Sequence, residues 1–89
     1  MIAAKIGENL YIETYAPTSC RPTEERETYY AGLIAFIQRA QQSHPKISMI
    51  LMGDCNAHIE GFYAEATDSS GHMLKNLASR CNLMITPND

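Results

Sequence analysis

Hydrophobic and polar positions alternate over Leu10 to Tyr15 (LYIETY), with Leu10 and Ile12 on one side and Tyr11, Glu13 and Tyr15 on the other. That period of two, in a segment rich in β-formers and stopped by Pro17, predicts a half-buried strand. After a loop over Ala16 to Arg21 the period changes. Tyr30, Leu33, Ile37 and Ala40, joined by Ile34 and Phe36, recur at helical spacing until His44-Pro45 ends the pattern. Thr23 is suited to cap this helix, and Glu24 and Glu25 place the favoured charge sign in its first turn. Ile47 to Met52 (ISMILM) is a short, nearly continuous apolar run, the mark of a strand covered on both faces, and Gly53-Asp54 closes it. Cys55 to Asp68 is irregular and reads as a long surface loop with at most one short helical turn. Asp68-Ser69-Ser70-Gly71 supplies turn and cap chemistry for a second helix with Met73, Leu74, Leu77, Ala78 and Cys81 on its apolar side. Leu83 to Thr86 reads as a final strand, stopped by Pro87.

The order strand, helix, strand, helix, strand is that of an α/β unit with parallel pairing. Helical crossovers bring the carboxyl ends of parallel strands to the same edge. Tyr15 ends the first strand and Gly53-Asp54 the second, so the residues after both converge on one rim, where open α/β sheets bind ligands.

Composition bounds what that rim can belong to. With 89 residues the chain is one unit, small for an enzyme, and a fold of this size buries little more than ~60% of its unfolded surface. No apolar run approaches the ~18 residues of a membrane span, and the N-terminal segment, broken by Gly7, Glu8 and Asn9, has no secretory h-region. The reading is a soluble, intracellular chain without a membrane partner. The three cysteines, Cys20, Cys55 and Cys81, are an odd number without a C-x-x-C spacing, which favours reduced thiols packed as small hydrophobes. A net charge of −3 argues against a basic nucleic-acid clamp, but not against nucleic acid at a site where a metal supplies positive charge.

The rim gathers Tyr15, Asp54, Asn56 and His58, with Thr18, Ser19 and Arg21 in the loop after the first strand. A carboxylate at the end of a buried strand is held rigidly, a preceding glycine lets backbone approach a substrate, and Asn56 can donate to the carboxylate or to a phosphate oxygen. Asp54 is then placed to orient and deprotonate a water. The plain alternative is that Asp54 and Asn56 make Asx-type bonds in a turn, and that Tyr15 is packed with its hydroxyl satisfied at the surface. Arg21, Arg26 and Arg39 read as exposed and too scattered to form a phosphate track.

ILMGDCNAHIEG (Ile50 to Gly61), preceded at the distance of one helix by IETYAPTS (Ile12 to Ser19), resembles the endonuclease/exonuclease/phosphatase superfamily. Its nearest likeness there is to the apurinic-type endonuclease domains that precede reverse transcriptases in non-LTR retrotransposons. The matching positions are Tyr15 to Pro17, Gly53 to Asn56, Asp68 to Gly71 and Asn82-Leu83, in the family's order. The resemblance implies metal-dependent phosphodiester hydrolysis, usually with Mg2+, on DNA in a nuclear setting. Carried over, Asp54 is the base or orienter of the attacking water, Asn56 holds that aspartate or the scissile phosphate, and Tyr15 contacts the phosphate or helps charge build-up on its oxygens. It also implies a four-layer α/β sandwich, of which residues 1–89 would be one partial domain, a β-α-β-α-β fragment.

The departures carry equal weight. Cys55 stands where the family has phenylalanine, which favours a packing substitution over a nucleophile paired with His58. His58 is common in the retroelement versions and reads as a polar loop residue or a substrate contact, whereas His44 and His72 carry no sharper reading. Asp68 is explained by helix capping. The family's metal-binding glutamate lies upstream of the Tyr-containing strand and its Asp-His pair lies beyond Asp89, so the resemblance implies little or no activity for this chain alone. It further implies an exposed apolar sheet face where a second sheet would pack, with marginal stability or self-association. Two other readings stay open: a phosphatase of the same superfamily, and a catalytically dead α/β remnant whose sheet face binds a partner or itself.

Overall fold

The structure, a computed structural model, describes residues 2–18, 20–54, 57, 59–60 and 66–85. Five elements follow one another: strand β1 (Ile2–Ile6), strand β2 (Asn9–Tyr15), helix α1 (Thr23–Ser43), strand β3 (Ser48–Asp54) and helix α2 (Ser69–Cys81). They form a small mixed α/β domain with a three-stranded sheet in the order β1-β2-β3.

The β2–α1–β3 unit is the predicted parallel crossover. Register pairs Leu10 with Met49, Ile12 with Leu51 and Tyr15 with Asp54. Leu10, Ile12 and Thr14 are buried along β2 while Tyr11, Glu13 and Tyr15 are not, which is the alternation visible in the sequence. Both helices cover the Leu10–Ile12 side of the sheet, where Tyr30, Leu33, Ile34 and Ile37 of α1 meet Leu77 and Cys81 of α2. The helices run side by side in the same direction. Arg26 of α1 bonds the first turn of α2, and at the other end the Gln41 amide donates to the Cys81 carbonyl at 2.7 Å. No helix among the described residues is long and apolar enough to cross a membrane.

Four expectations are corrected. The segment before β2 is a strand: β1 pairs antiparallel with β2 through a two-residue turn, Gly7-Glu8, whose first residue sits at φ 62°. A left-handed first position is what glycine supplies in a tight hairpin. The sheet is therefore mixed, and the element order is β-β-α-β-α. Second, Leu83–Ile85 is not a strand, and Thr86 lies outside the described residues. Instead Asn82 ends α2 in the left-handed conformation (φ 57°, ψ 46°), and the Leu83 N–H returns to the Ala78 carbonyl at 2.8 Å, a six-to-one bond that satisfies an end carbonyl. Third, Thr23 does not cap α1. It lies inside the first turn, and Pro22 occupies the cap position without a side-chain bond. Fourth, among the described residues β3 is covered on one face only: Met49 and Leu51 are half-buried against the helices, while Ile50 and Met52 are 42% and 45% exposed.

Other expectations hold. Asp68 caps α2, its Oδ1 accepting from the Gly71 N–H at 2.6 Å. The α1 stripe follows the predicted spacing through Tyr30, Leu33, Ile34 and Ile37 and ends at His44, whose N–H reaches the Ala40 carbonyl at 2.9 Å.

Gly53 is held by its neighbour. Its φ of +114° is unfavourable for any residue with a Cβ, and a Cβ there would collide with the Thr14 carbonyl oxygen and stand 3.0 Å from the Thr14 nitrogen. What this glycine admits is the backbone of β2. Gly32, in α1, has open space around it. Gly53→Ala is therefore expected to lower stability by about 2 kcal/mol or more. Gly32→Ala should raise it by up to about 1 kcal/mol. Urea midpoints of the two variants check the contrast, and equal shifts would refute the close approach.

Candidate functional site

The rim at the carboxyl ends of β2 and β3 is built by their register. Tyr15 and Asp54 are direct partners across the parallel pair, so the last residues of both strands stand side by side. Asp54 is described here by its backbone. Tyr15 is 77% exposed, on the sheet face away from the helices. The packed reading of this tyrosine does not hold, because nothing covers that face of the sheet among the described residues. Of the remaining predicted site residues, Asn56 and His58, together with Cys55 and Ser19, lie outside the described residues.

Behind the rim, Thr14 is 1% exposed and its Oγ1 has no hydrogen-bond partner among the described residues. It is the register partner of Gly53, so the two tightest features of the parallel pair lie one step inside Tyr15 and Asp54. A buried hydroxyl without a partner costs free energy. Thr14→Val, which keeps the shape and removes the oxygen, is expected to raise stability by about 1 kcal/mol in thermal or chemical unfolding. A loss of that size would mean that the hydroxyl is satisfied.

After Asp54, Ile59 is buried and the Glu60 N–H donates to Thr67 Oγ1 at 2.9 Å. The chain then enters the Asp68 cap of α2. On the other side of the rim, Arg21 N–H bonds the Thr18 carbonyl at 3.0 Å, and the Arg21 side chain pairs with Glu25 at 2.9 Å on the surface. Exposed pairs of this kind contribute little, a few tenths of a kcal/mol.

One basic residue departs from its expected exposure. Arg26 is 6% exposed, not a surface charge. Nε donates to the Arg21 carbonyl (3.2 Å), Nη1 to Ser69 Oγ (2.5 Å) and Ser70 Oγ (2.9 Å), and Nη2 to Thr23 Oγ1 (3.0 Å). The signal was present in the sequence: position 26 continues the 30, 33, 34, 37 stripe one turn toward the N-terminus. Arg21 and Arg39 are exposed as expected.

The described residues do not make up a metal site. Among them no three His, Cys, Asp or Glu side chains gather, and Asp54 is the carboxylate that the register brings to the rim.

The thiols separate by environment. Cys81 is buried in the core and burial pushes its thiol above the ordinary value of 9.0, with the Arg80 guanidinium pulling the other way. Cys20 is exposed, which departs from the packed reading. At pH 8, iodoacetamide should modify Cys20 readily and Cys81 only when the chain is unfolded. Because the folded state holds the Cys81 proton more tightly, that contribution is complete below the ordinary thiol value and is lost as pH rises past it toward the raised folded value. Peptide mapping after timed labelling checks this, and equal labelling of the two would refute it.

No protein-family model, curated protein or solved structure matches the chain.

Proposed function

We propose that this chain carries part of the rim of a DNA phosphodiesterase of the endonuclease/exonuclease/phosphatase type, nicking DNA with a divalent metal when completed by further chain. The single observation that supports this reading is the parallel register that makes Tyr15 and Asp54 partners at the carboxyl ends of adjacent strands. Two residues singled out from separate segments thereby share one edge.

In-line attack on a phosphodiester needs a positioned water, donors for the non-bridging oxygens and neutralisation of developing charge. In this reading Asp54 orients the water and takes its proton. Tyr15, exposed beside it, donates its hydroxyl to a phosphate oxygen, and Asn56 holds the aspartate or the phosphate. In this reading no residue of this chain is assigned as a metal ligand.

A second reading, a remnant whose sheet face binds a partner or itself, is favoured by the exposed Ile50 and Met52 on β3. Nicking of supercoiled plasmid in magnesium separates the two. A version extended at both ends should nick, Asp54→Ala should lower its rate at least about 100-fold, and the 89-residue chain should be inactive. Failure of the extended wild type, or equal nicking by Asp54→Ala, would overturn the phosphodiesterase reading.

A further inference from the structure

The buried Arg26 guanidinium is not accounted for by the chemistry proposed above. A cation removed from water is costly unless it is paired or fully hydrogen-bonded. Among the described residues no carboxylate pairs with it, and the ion pair found there, Arg21–Glu25, does not include it. Its compensation is four oxygens: the Arg21 carbonyl and the hydroxyls of Thr23, Ser69 and Ser70. Those oxygens come from three places in the chain. Arg21 belongs to the loop that leaves β2 after Tyr15, Thr23 opens α1, and Ser69 and Ser70 open α2, where the segment leaving Asp54 returns. Every acceptor therefore lies at the root of one of the two segments that leave the rim.

We infer that Arg26 is a positioning residue that clamps these two segments to each other and so fixes the surroundings of Tyr15 and Asp54; its bearing on catalysis rests on the phosphodiesterase reading. The planar fork is what makes the clamp. Guanidinium offers five donors in a fixed plane and reaches carbonyl and hydroxyls in different directions at once, whereas an ammonium is a single point donor. The far ends of the helices are tied separately, by Gln41 to the Cys81 carbonyl, so loosening the Arg26 end leaves the other end and the Ile12–Ile37–Leu77 core in place.

Two measurements test the clamp. In the 89-residue chain, amide exchange in Arg26→Lys should rise about tenfold or more at the bonded Arg21, Gly71 and His72 amides while the β2 and α1 core keeps its protection. Ser69→Ala, at an exposed position, should give a smaller rise at the same amides and serves if Arg26→Lys does not fold. Gln41→Ala should loosen residues 80–83 instead. In the extended protein, Arg26→Lys should lower kcat for nicking about 10- to 100-fold with KM for DNA little changed, and Gln41→Ala should leave kcat unchanged. Uniform loss of protection across the core in both Arg26→Lys and Ser69→Ala would make Arg26 a general stabiliser and overturn the clamp. Wild-type kcat in a folded Arg26→Lys would overturn its positioning role. Local exchange changes with no nicking by the extended wild type would leave the clamp standing and remove the phosphodiesterase reading.

Discussion

The parallel pairing of β2 with β3 is the constraint on which the rest of the structure depends. It sets Ile12 beside Leu51 under the helices, and it ends with Tyr15 beside Asp54 at the rim. Its tightest point is the approach of Gly53 to the Thr14 backbone, closer than any side chain would permit. Parallel strands cannot be joined by a tight turn, so their pairing requires the α1 crossover, and the crossover requires a buried stripe to hold it on the sheet. Fold and rim are thus consequences of one register. A slip of one residue in β3 would turn Met49 and Leu51 away from the helices and separate Tyr15 from Asp54.

Two kinds of interaction hold the helices to each other, and they divide the work by position. Between the ends, packing is apolar: Tyr30, Leu33, Ile34 and Ile37 against Leu77 and Cys81. At the amino ends it is polar, through Arg26 and the hydroxyls of Ser69 and Ser70. Apolar packing is tolerant of small displacements, whereas a guanidinium with four oriented acceptors is not. Directional contacts thus lie at both ends, Arg26 where the rim segments depart and Gln41 on the Cys81 carbonyl at the other, with the tolerant contacts between them.

Much of this was legible in the sequence, and the gaps have physical causes. Period two over Leu10–Tyr15, the α1 stripe and the Asp68 cap are local signals, each decided within one element, and each appears in the structure. β1 was not legible because Ile2–Ile6 includes two alanines, weak strand formers, and gains its partner only through the Gly7-Glu8 turn. Leu83–Ile85 carries β-favouring side chains, but Asn82 and the bond from Leu83 to Ala78 commit its start to ending α2. Arg26 reads as exposed by its charge, yet its position falls on the buried stripe. For the site, the convergence of Tyr15 and Asp54 on one rim was legible, and their direct pairing comes from the register. Asn56 and His58 lie outside the described residues, and the role of Gly53 toward Thr14 needed the register to be seen.

The uncovered side of the sheet follows from the same register. Across that face, β2 presents Tyr11, Glu13 and Tyr15, side chains with polar ends that tolerate water, while β3 presents Ile50 and Met52. Ile6 of β1, paired with Asn9, lies on the same face at 65% exposure, so the apolar surface flanks the central strand on both sides. A few scattered apolar side chains on a surface need no cover. The edge of β3 is a different matter: seven residues long and without a strand partner on its outer side among the described residues, it offers unpaired backbone donors and acceptors in line. A strand added there would lengthen the sheet directly beside Asp54, so whatever meets that edge acts on the rim as well as on the face.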